Sequence, residues 1–453
     1  MIDLDILKYD IMKFEILVII SSMLSLLPFL IFLATFLGSA LYFYSQGVGD
    51  AFYQISPVIA ILPAIIIGYL IAKGSRKQKI DSIINGIRNK DIILMCIIFI
   101  LAGAFGEVTK AIGAVESTVE FTINYIPKSA LLAGLFLISA FIATAMGSSM
   151  GVVAAVTPIA LGFAQEADLS TSLSVATVIS GAMFGDNLSM ISDTTIAAVS
   201  SQGASLKDKF KLNAQIAFFS ATIMILVLIF LSNNNGHVVI KEYSLIKITP
   251  YILIIILAFI GMHIFHVLII GILITGIIGM YCDSYSIIRF SKDIYNGFAS
   301  MNEIMILSLL IGGLSNLVND QGGIKYIATK IKNLIGKNKN PKTAEIAIVG
   351  IAIINDIILA NNTIAIILGG GIAKKIAKTF KIPAYKSACW LDIFSCVFQG
   401  IIPYSAQILL AASIAKLSPI DLVTQVYYCY ILGVVAILYI IFGGKSKIQN
   451  NSG

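Results

Sequence analysis

Two carboxylates interrupt an otherwise apolar stretch of the chain. Asp186 and Asp193 lie within residues 181–195, which read Gly-Ala-Met-Phe-Gly-Asp-Asn-Leu-Ser-Met-Ile-Ser-Asp-Thr-Thr. A charged carboxylate at the centre of a bilayer costs roughly 2.5–3.5 kcal/mol on insertion scales. The two acids therefore oppose membrane insertion unless a bound cation or a proton compensates. This pattern predicts an ion-binding function.

The spacing of these acids and the groups around them suggest how an ion would be held. Seven positions separate the acids, so in a continuous helix they would share one face. Gly181 and Gly185 favour unwinding just before the first acid, which would free backbone carbonyls as hard ligands for Na⁺. The predicted cation- or proton-binding residues, with Na⁺ at the two acids, are Asp186, Asn187, Ser189, Ser192, Asp193 and Thr194. In the alternative interpretation, Asp193 caps a helix and the hydroxyl groups only pack.

Two further segments are each too long for one helix and are interrupted near their middle by small or polar residues. Residues 129–166 and 343–380 are each predicted to form a helical hairpin with its turn at membrane depth. Helix N-termini at such turns offer free N–H groups that suit carboxylates. Close helix packing by small residues is the alternative. The predicted substrate-binding residues at the turns are Ser148, Ser149, Asn361, Asn362 and Thr363.

A second broken helix is predicted over residues 386–412, interrupted by Gly400 and Pro403. It has no carboxylate at its break. Further predicted binding residues are Gln399, Ser405 and Gln407, and the accessory charges are Asp356, Asp392 and Glu303. His263 and His266 lie at a predicted turn near a membrane face, where a polar side chain costs little, and we assign them no transport role.

The composition shows which elements must position these residues. Of the 453 residues, 58% are hydrophobic and only 12% are charged, which excludes a water-soluble protein. The five cysteines are scattered through apolar stretches and are interpreted as small buried residues. The predicted membrane crossings are 26–45, 55–73, 91–107, 172–199, 213–231, 246–262, 264–281, 298–318, 386–412 and 425–443.

The net charge of +7 reflects membrane topology and not nucleic-acid binding, because the basic residues gather in short loops. If each hairpin enters and leaves by the same face, all basic clusters lie on the cytoplasmic side. Both termini are then cytoplasmic, and the acidic loops around residues 107–120, 166–168 and 283–293 are external. The basic clusters are at residues 73–90, 207–211, 325–342, 374–386 and 445–447.

This topology divides the chain into two halves of five crossings each. Since five is odd, the halves must be inverted relative to one another. The predicted fold is an all-α polytopic membrane protein with two inverted repeats, each of about five transmembrane helices plus a re-entrant hairpin and a broken helix. The repeats are 1–232 (hairpin 129–166, broken helix 172–199) and 248–453 (hairpin 343–380, broken helix 386–412), joined by loop 233–247. An offset of 214 (361 − 147) aligns Gly147 with Asn361 and Asp193 with Gln407.

Residues 185–195 resemble the motif Gly-Asp-Lys-x-Ser-Pro-x-Ser-Asp-Thr-Thr of the NhaC-type Na⁺/H⁺ antiporter family, within the ion transporter superfamily. Residues 360–365 and 391–404 extend the resemblance over most of the chain. It implies inverted repeats with re-entrant hairpins. The resemblance also implies a cation site lined by Asp186, Ser189, Asp193 and Thr194. Asn187 and Met190 depart from the usual Lys and Pro, and the family includes malate/lactate exchangers and amino-acid carriers.

The sequence thus predicts a secondary active transporter, a Na⁺/H⁺ antiporter that works by alternating access in the bacterial inner (plasma) membrane. It needs no cofactor besides the transported ions, and its partners are membrane lipid, Na⁺ and H⁺. A small organic solute and a homodimer stay open. The alternative is a Na⁺-coupled transporter or exchanger of a small organic acid or amino acid, gripped by the hairpin Ser and Asn residues. A membrane-embedded enzyme is disfavoured, because no His or Cys accompanies the two acids.

Overall fold

A computed structural model describes residues 23–46, 54–125, 127–190, 192–232, 242–260, 262–282, 285–324, 326, 330 and 340–443. The regular secondary structure of these residues is helical throughout. The predictions for both termini, the basic cluster at 445–447, most of the connecting loop 233–247 and most of the basic cluster at 325–342 lie outside the described residues.

The first half of the described chain contains eleven helices, from α1 to α11. They are Leu27–Ser45 (α1), Pro57–Ala60 (α2), Leu62–Ile71 (α3), Arg76–Ile87 (α4), Lys90–Ala111 (α5), Ala114–Tyr125 (α6), Lys128–Met146 (α7), Ser149–Glu166 (α8), Thr171–Leu188 (α9), Asp193–Gln202 (α10) and Leu206–Leu231 (α11).

In the second half, bounds are described for ten helices, α12 to α21. They are Leu245–Phe259 (α12), Ile264–Cys282 (α13), Ile287–Ser300 (α14), Asn302–Asp320 (α15), Pro341–Leu359 (α16), Asn362–Thr379 (α17), Ala384–Gln399 (α18), Ala406–Ala415 (α19), Pro419–Val423 (α20) and Tyr427–Phe442 (α21). Several begin at a serine or asparagine whose side chain accepts a hydrogen bond from the first turn, as Ser170 does for α9 and Asn340 for α16.

Six helical segments among the described residues are long and apolar enough to cross a membrane. They are Ile92–Ala111, Ser129–Met146, Ser149–Glu166, Leu206–Leu231, Ile264–Cys282 and Ile287–Asp320. Five shorter apolar helices, such as Tyr427–Phe442, accompany them. The prediction of an all-helical, multi-pass membrane protein is therefore confirmed.

Some segments predicted as loops form helices. The basic segment Arg76–Ile87 is α4, the acidic segment Ala114–Tyr125 is α6, and Ile287–Ser300, at the predicted external loop, is α14. These helices carry only one apolar face, so a search for continuous apolar runs does not find them. A second correction concerns Cys282, which is exposed, although the other four cysteines are buried as predicted.

Four consecutive helices in the first half recur in the second half with the same order. The pairs are α7 and α16, α8 and α17, α9 and α18, and α10 and α19, and each second helix starts 213 positions after the first (341 − 128, 362 − 149, 384 − 171 and 406 − 193). The two hairpin turns also have the same backbone conformation. Gly147 and Ala360 are left-handed, with φ of 65° and 48°, and Ser148 and Asn361 both have φ of −148°.

The predicted alignment offset of 214 is therefore wrong by one position. It matched the first residues of the two small or polar turn sequences, Gly147 and Asn361, whereas the helix boundaries show which positions are equivalent. Gly147 corresponds to Ala360 and Asp193 to Ala406, and Asp186 then corresponds to Gln399.

The broken helices lie at the centre of the bundle. Every side chain from Ser174 to Leu188 in α9 and from Ser387 to Val397 in α18 is buried. Beyond each break, the short helix packs on the second hairpin arm of the other half, α10 on α17 and α19 on α8. Because each short helix packs on the other half, the two hairpin turns and the two helix breaks lie next to one another at the centre of the bundle.

Gly181 and Gly185 have a structural role that differs from the predicted one. Both lie within the regular part of α9, and a Cβ at either position would overlap atoms of α7, including Phe136 O and Ala143 Cβ. The glycines therefore permit close packing of α9 on α7, as small residues do between membrane helices. The prediction that they unwind the helix before Asp186 is wrong.

Candidate cation site

A crevice of about 100 Å³ lies where the two hairpins and the two broken helices meet. The first residues of α8, α10, α17 and α19 line it, so four helix N-termini converge on this space. The lining includes most of the polar residues predicted from the sequence, which are Ser148, Ser149, Asp186, Asp193, Thr194, Asn361, Asn362, Thr363, Gln399 and Gln407.

Asp186 provides the buried carboxylate of the crevice. Asp186 is only 5% exposed and lies in the last turn of α9. Ser192 Oγ donates to Oδ1 at 2.6 Å, and Ser149 Oγ donates to Oδ2 at 2.9 Å. Asn362 Nδ2 lies 3.5 Å from Oδ2, at the limit of a hydrogen bond. Ser149 and Asn362 are equivalent first residues of the two second hairpin arms, so both halves contact the same carboxylate.

A chain of hydrogen bonds connects Asp186 to the second half. Gln399 Nε2 donates to Ala360 O at 3.3 Å and to Gln407 Oε1 at 2.8 Å. Gln407 Nε2 donates to Ser149 Oγ at 3.0 Å, and Ser149 in turn contacts Asp186. The hairpin turn at Ala360 and the break in the second broken helix are thereby linked to the carboxylate.

Asp193 lies at the mouth of the crevice and is exposed. It also lines a depression of about 1,210 Å³, together with Lys90, His263 and His266. Because α9 ends at Leu188 and α10 begins at Asp193, the helix is not continuous between the two acids, and the condition under which they would share one face is not met. The break follows Asp186, and the two carboxylates therefore have different exposures.

Other predicted residues support the geometry of the crevice. Asn361 Oδ1 accepts a hydrogen bond from the Ile364 N–H at 2.9 Å and caps α17, and Thr194 Oγ1 lies 2.8 Å from Ser192 Oγ. Ser189 is buried at the C-terminal end of α9. Ser405 is also buried, at the N-terminus of α19, and its hydroxyl makes no hydrogen bond to any described residue.

Asn187 and Asp392 form a separate cluster behind the crevice. Asn187 Nδ2 donates to Asp392 Oδ2 at 3.2 Å, and neither residue lines the crevice. Lys209 Nζ lies 2.5 Å from the same carboxylate oxygen, and Asn213 Nδ2 lies 3.0 Å from it. All four residues are buried. Asn187 therefore contacts the second carboxylate and not Asp186.

Two predicted accessory acids lie outside the crevice lining. Asp356 in α16 is fully buried, and neither of its carboxylate oxygens has a hydrogen-bond partner in the described part of the chain. Glu303, in the first turn of α15, is exposed and accepts a hydrogen bond from Ser56. The structure does not bring these acids to the crevice.

Lys209 is a buried charged residue that the sequence does not reveal as such, because its grouping with Lys207 and Lys211 indicates a basic cytoplasmic loop. It lies within α11 instead and is buried. Its position continues the buried stripe of that helix, with Asn213 and Ala217 at successive intervals of four residues. A lysine that falls on the buried stripe of a membrane helix is a signal for a buried charge.

The crevice offers a carboxylate and several hydroxyl and amide oxygens, which are the ligands that a hard cation prefers. Among the residues that the structure describes, no Lys, Arg or His nitrogen lies within 4.0 Å of the Asp186 carboxylate. A bound metal cation or a proton could therefore neutralise it. Because a metal cation and a proton would bind the same carboxylate, the two compete for the site.

Comparison with known proteins gives a consistent result. The model of the Na⁺/H⁺ antiporter family matches residues 4–234 and residues 231–444, which together make up nearly the whole chain. The chain is 26% identical over 264 residues to the Na(+)/H(+) antiporter NhaC of Bacillus subtilis (strain 168), an alignment that covers 54% of this chain and 57% of that protein.

A second relative in Bacillus subtilis (strain 168) is the Malate-2H(+)/Na(+)-lactate antiporter, 24% identical over 326 residues, with 68% of this chain and 65% of that protein covered. The alignments thus span less than two thirds of either relative. Among solved structures, the YdaH transporter of Alcanivorax borkumensis aligns with a TM-score of 0.45 and 11% identity, over 89% of this chain and 97% of that one.

Proposed function

The chain belongs to the Na⁺/H⁺ antiporter family, and from this premise we propose that it exchanges Na⁺ for H⁺ at the Asp186 carboxylate. The family assignment also confirms the resemblance to NhaC-type antiporters drawn from residues 185–195. The proposal places the protein in a bacterial inner membrane, with its basic loops and both termini on the cytoplasmic side.

One observation carries this proposal. Asp186 is buried in a polar crevice, where Ser149 and Ser192 donate hydrogen bonds to its carboxylate and no basic side chain of the described residues neutralises it. A buried carboxylate without a counter-ion is costly. In the exchange cycle either Na⁺ or a proton occupies the site, and the arrival of one displaces the other.

The arrangement of the two halves supports alternating access. The same four helices recur at an interval of 213 residues, and the two matched family ranges meet at residues 231–234, close to the proposed boundary between the repeats. We propose that the repeats are inverted, and that the hairpins and broken helices expose Asp186 to one side of the membrane at a time.

The position of the depression beside Asp193 supports an inward-open state in the proposed cycle. Its walls include Lys90, Ser201 and Gly371, and these lie beside the segments that carry the basic clusters at residues 73–90, 207–211 and 374–386. With the basic clusters assigned to the cytoplasm, this conformation opens inward, and Asp193 attracts Na⁺ from the cytoplasm toward Asp186.

Transport by the purified protein in liposomes tests the proposal. With a pH-sensitive dye in the lumen, a Na⁺ gradient should produce a proton flux in the opposite direction without any organic solute. Lowering the pH on the Na⁺ side should raise the Na⁺ concentration for half-maximal rate and leave the maximal rate unchanged, because H⁺ and Na⁺ compete. A rate that is independent of Na⁺ would contradict the proposal.

Exchange of a small organic acid is a second candidate. Four helix N-termini converge on the crevice, and three of them, those of α8, α10 and α19, receive no capping hydrogen bond from their own N-cap side chain. Free N–H groups at helix N-termini favour carboxylates, and one relative is a malate/lactate antiporter. A proton flux that requires an added hydroxy acid would favour this second function.

A further inference from the structure

The buried cluster around Lys209 has no part in the exchange described above. Lys209 and Asp392 form an ion pair whose side chains are 2% and 0% exposed. Lys209 lies near the start of α11 and Asp392 lies in the middle of α18, so the pair joins the two halves of the protein across 183 positions of sequence.

Among the described residues, the Lys209 ammonium group makes hydrogen bonds to three oxygen atoms. Nζ lies 2.5 Å from Asp392 Oδ2, 2.7 Å from Thr195 Oγ1 and 3.3 Å from Asn187 O. An ammonium group has three N–H donors, and these three acceptors match them. A carboxylate, a hydroxyl and a backbone carbonyl are also the kinds of ligand that bind Na⁺ in proteins.

The backbone carbonyl in this set is available because of the helix break. Asn187 lies one residue before the end of α9, so its carbonyl has no donor four residues further along the same helix. Lys209 Nζ and Asn213 Nδ2 bind it, the latter at 3.0 Å. A carbonyl at the end of a helix and a buried carboxylate thus form a cation site whose occupant is a side chain of the protein.

We propose that Lys209 is a tethered cation that fills a second alkali-cation site at Asp392, so that only the Asp186 site exchanges ions. The proposal rests on the Na⁺/H⁺ exchange proposed above and adds its stoichiometry, with one Na⁺ bound per protein. The motif that residues 185–195 resemble has a lysine at position 187, where this chain has Asn187. Here the charge beside the unwound segment comes from α11.

The two carboxylates explain why one site exchanges ions and the other does not. Asp186 lies in a crevice that leads to the exposed Asp193. The residues around Asp392 are buried, and its Oδ2 atom accepts hydrogen bonds from Asn187, Asn213 and Lys209. A permanent internal cation neutralises this second carboxylate and keeps it from binding Na⁺ from solution.

Saturation binding of radioactive Na⁺ to purified protein in detergent tests this proposal. Wild type should bind one Na⁺, Lys209→Met should bind two because Asp392 loses its internal cation, and the double variant Lys209→Met/Asp392→Asn should bind one again. Lys207→Met, which removes an exposed lysine of the same helix, is the matched control and should bind like wild type.

The outcomes separate this proposal from the proposed function. A wild-type protein that binds no Na⁺ contradicts the exchange function itself. If wild type and Lys209→Met each bind one Na⁺, only the tethered cation is contradicted. If Lys209→Met does not fold, Lys209→Gln replaces it, because this variant keeps a hydrogen-bond donor beside Asp392 without the charge and should likewise bind two Na⁺. A folded double variant that binds no Na⁺ shows that the pair takes part in the exchanging site and overturns the proposal.

Discussion

Asp186 and Asp392 are both buried carboxylates on the longer helix of a broken pair, α9 and α18, and their surroundings differ in one charge. Asp186 is held by Ser149, Ser192 and Asn362 and faces a crevice. Asp392 is held by the Lys209 ammonium and by two asparagines, Asn187 and Asn213. Under the proposed exchange at Asp186, burial alone does not identify an ion-exchanging acid, because a cation next to a carboxylate prevents another cation from binding.

The largest expected effect is the loss of transport in Asp186→Asn. Without the buried carboxylate of the crevice, neither Na⁺ nor a proton is held between the two halves, and Na⁺-driven proton flux in liposomes should fall to that of protein-free vesicles. Asp208→Asn removes an exposed acid in the first turn of α11 and should transport like wild type. Undiminished flux in Asp186→Asn would remove Asp186 from the mechanism.

The next effect is on stability, and it should distinguish the two acids. Asp392→Asn leaves the buried Lys209 ammonium without its counter-ion, which costs about 3–5 kcal/mol. Asp186→Asn removes a charge that has no ionic partner among the described residues, and should unfold at no lower temperature than wild type. Thermal unfolding of the purified variants measures both effects. Equal melting temperatures for the two variants would contradict the difference between the sites.

A smaller effect is expected for Ser149→Ala. This change removes the hydroxyl that donates to Asp186 at 2.9 Å, and hydrogen bonds to charged groups contribute about 1.5–3 kcal/mol. The Na⁺ concentration for half-maximal transport should rise by about tenfold or more. Ser220→Ala, at a buried serine of α11 that donates to Ile216 O, is the control. An unchanged Na⁺ dependence in Ser149→Ala would place the ion elsewhere.

The smallest effect is expected for Asp193→Asn. Asp193 is exposed at the mouth of the crevice, and interactions of exposed charges contribute up to about 1 kcal/mol. The Na⁺ concentration for half-maximal transport should therefore change by less than about fivefold. If Asp193→Asn abolishes transport as Asp186→Asn does, both acids bind the ion, as the sequence analysis predicted.

Several features followed from the sequence because they depend on local composition. Continuous apolar runs required helices in a membrane, and small or polar residues at 147–149 and 361–363 located the hairpin turns to within one position. The polar stretch at 181–195 identified Asp186 and the family. The helices at 76–87, 114–125 and 287–300 were not predicted, because a single apolar face does not produce a continuous apolar run.

The sequence by itself determined that this is a helical membrane protein with acids inside apolar segments, and which family it resembles, since hydropathy and a short motif are properties of neighbouring residues. Only the tertiary structure decided which acid faces a crevice and which faces a lysine. Asn362 reaches Asp186 across 176 positions and Lys209 reaches Asp392 across 183. Such contacts depend on how whole helices pack, and no local pattern encodes them.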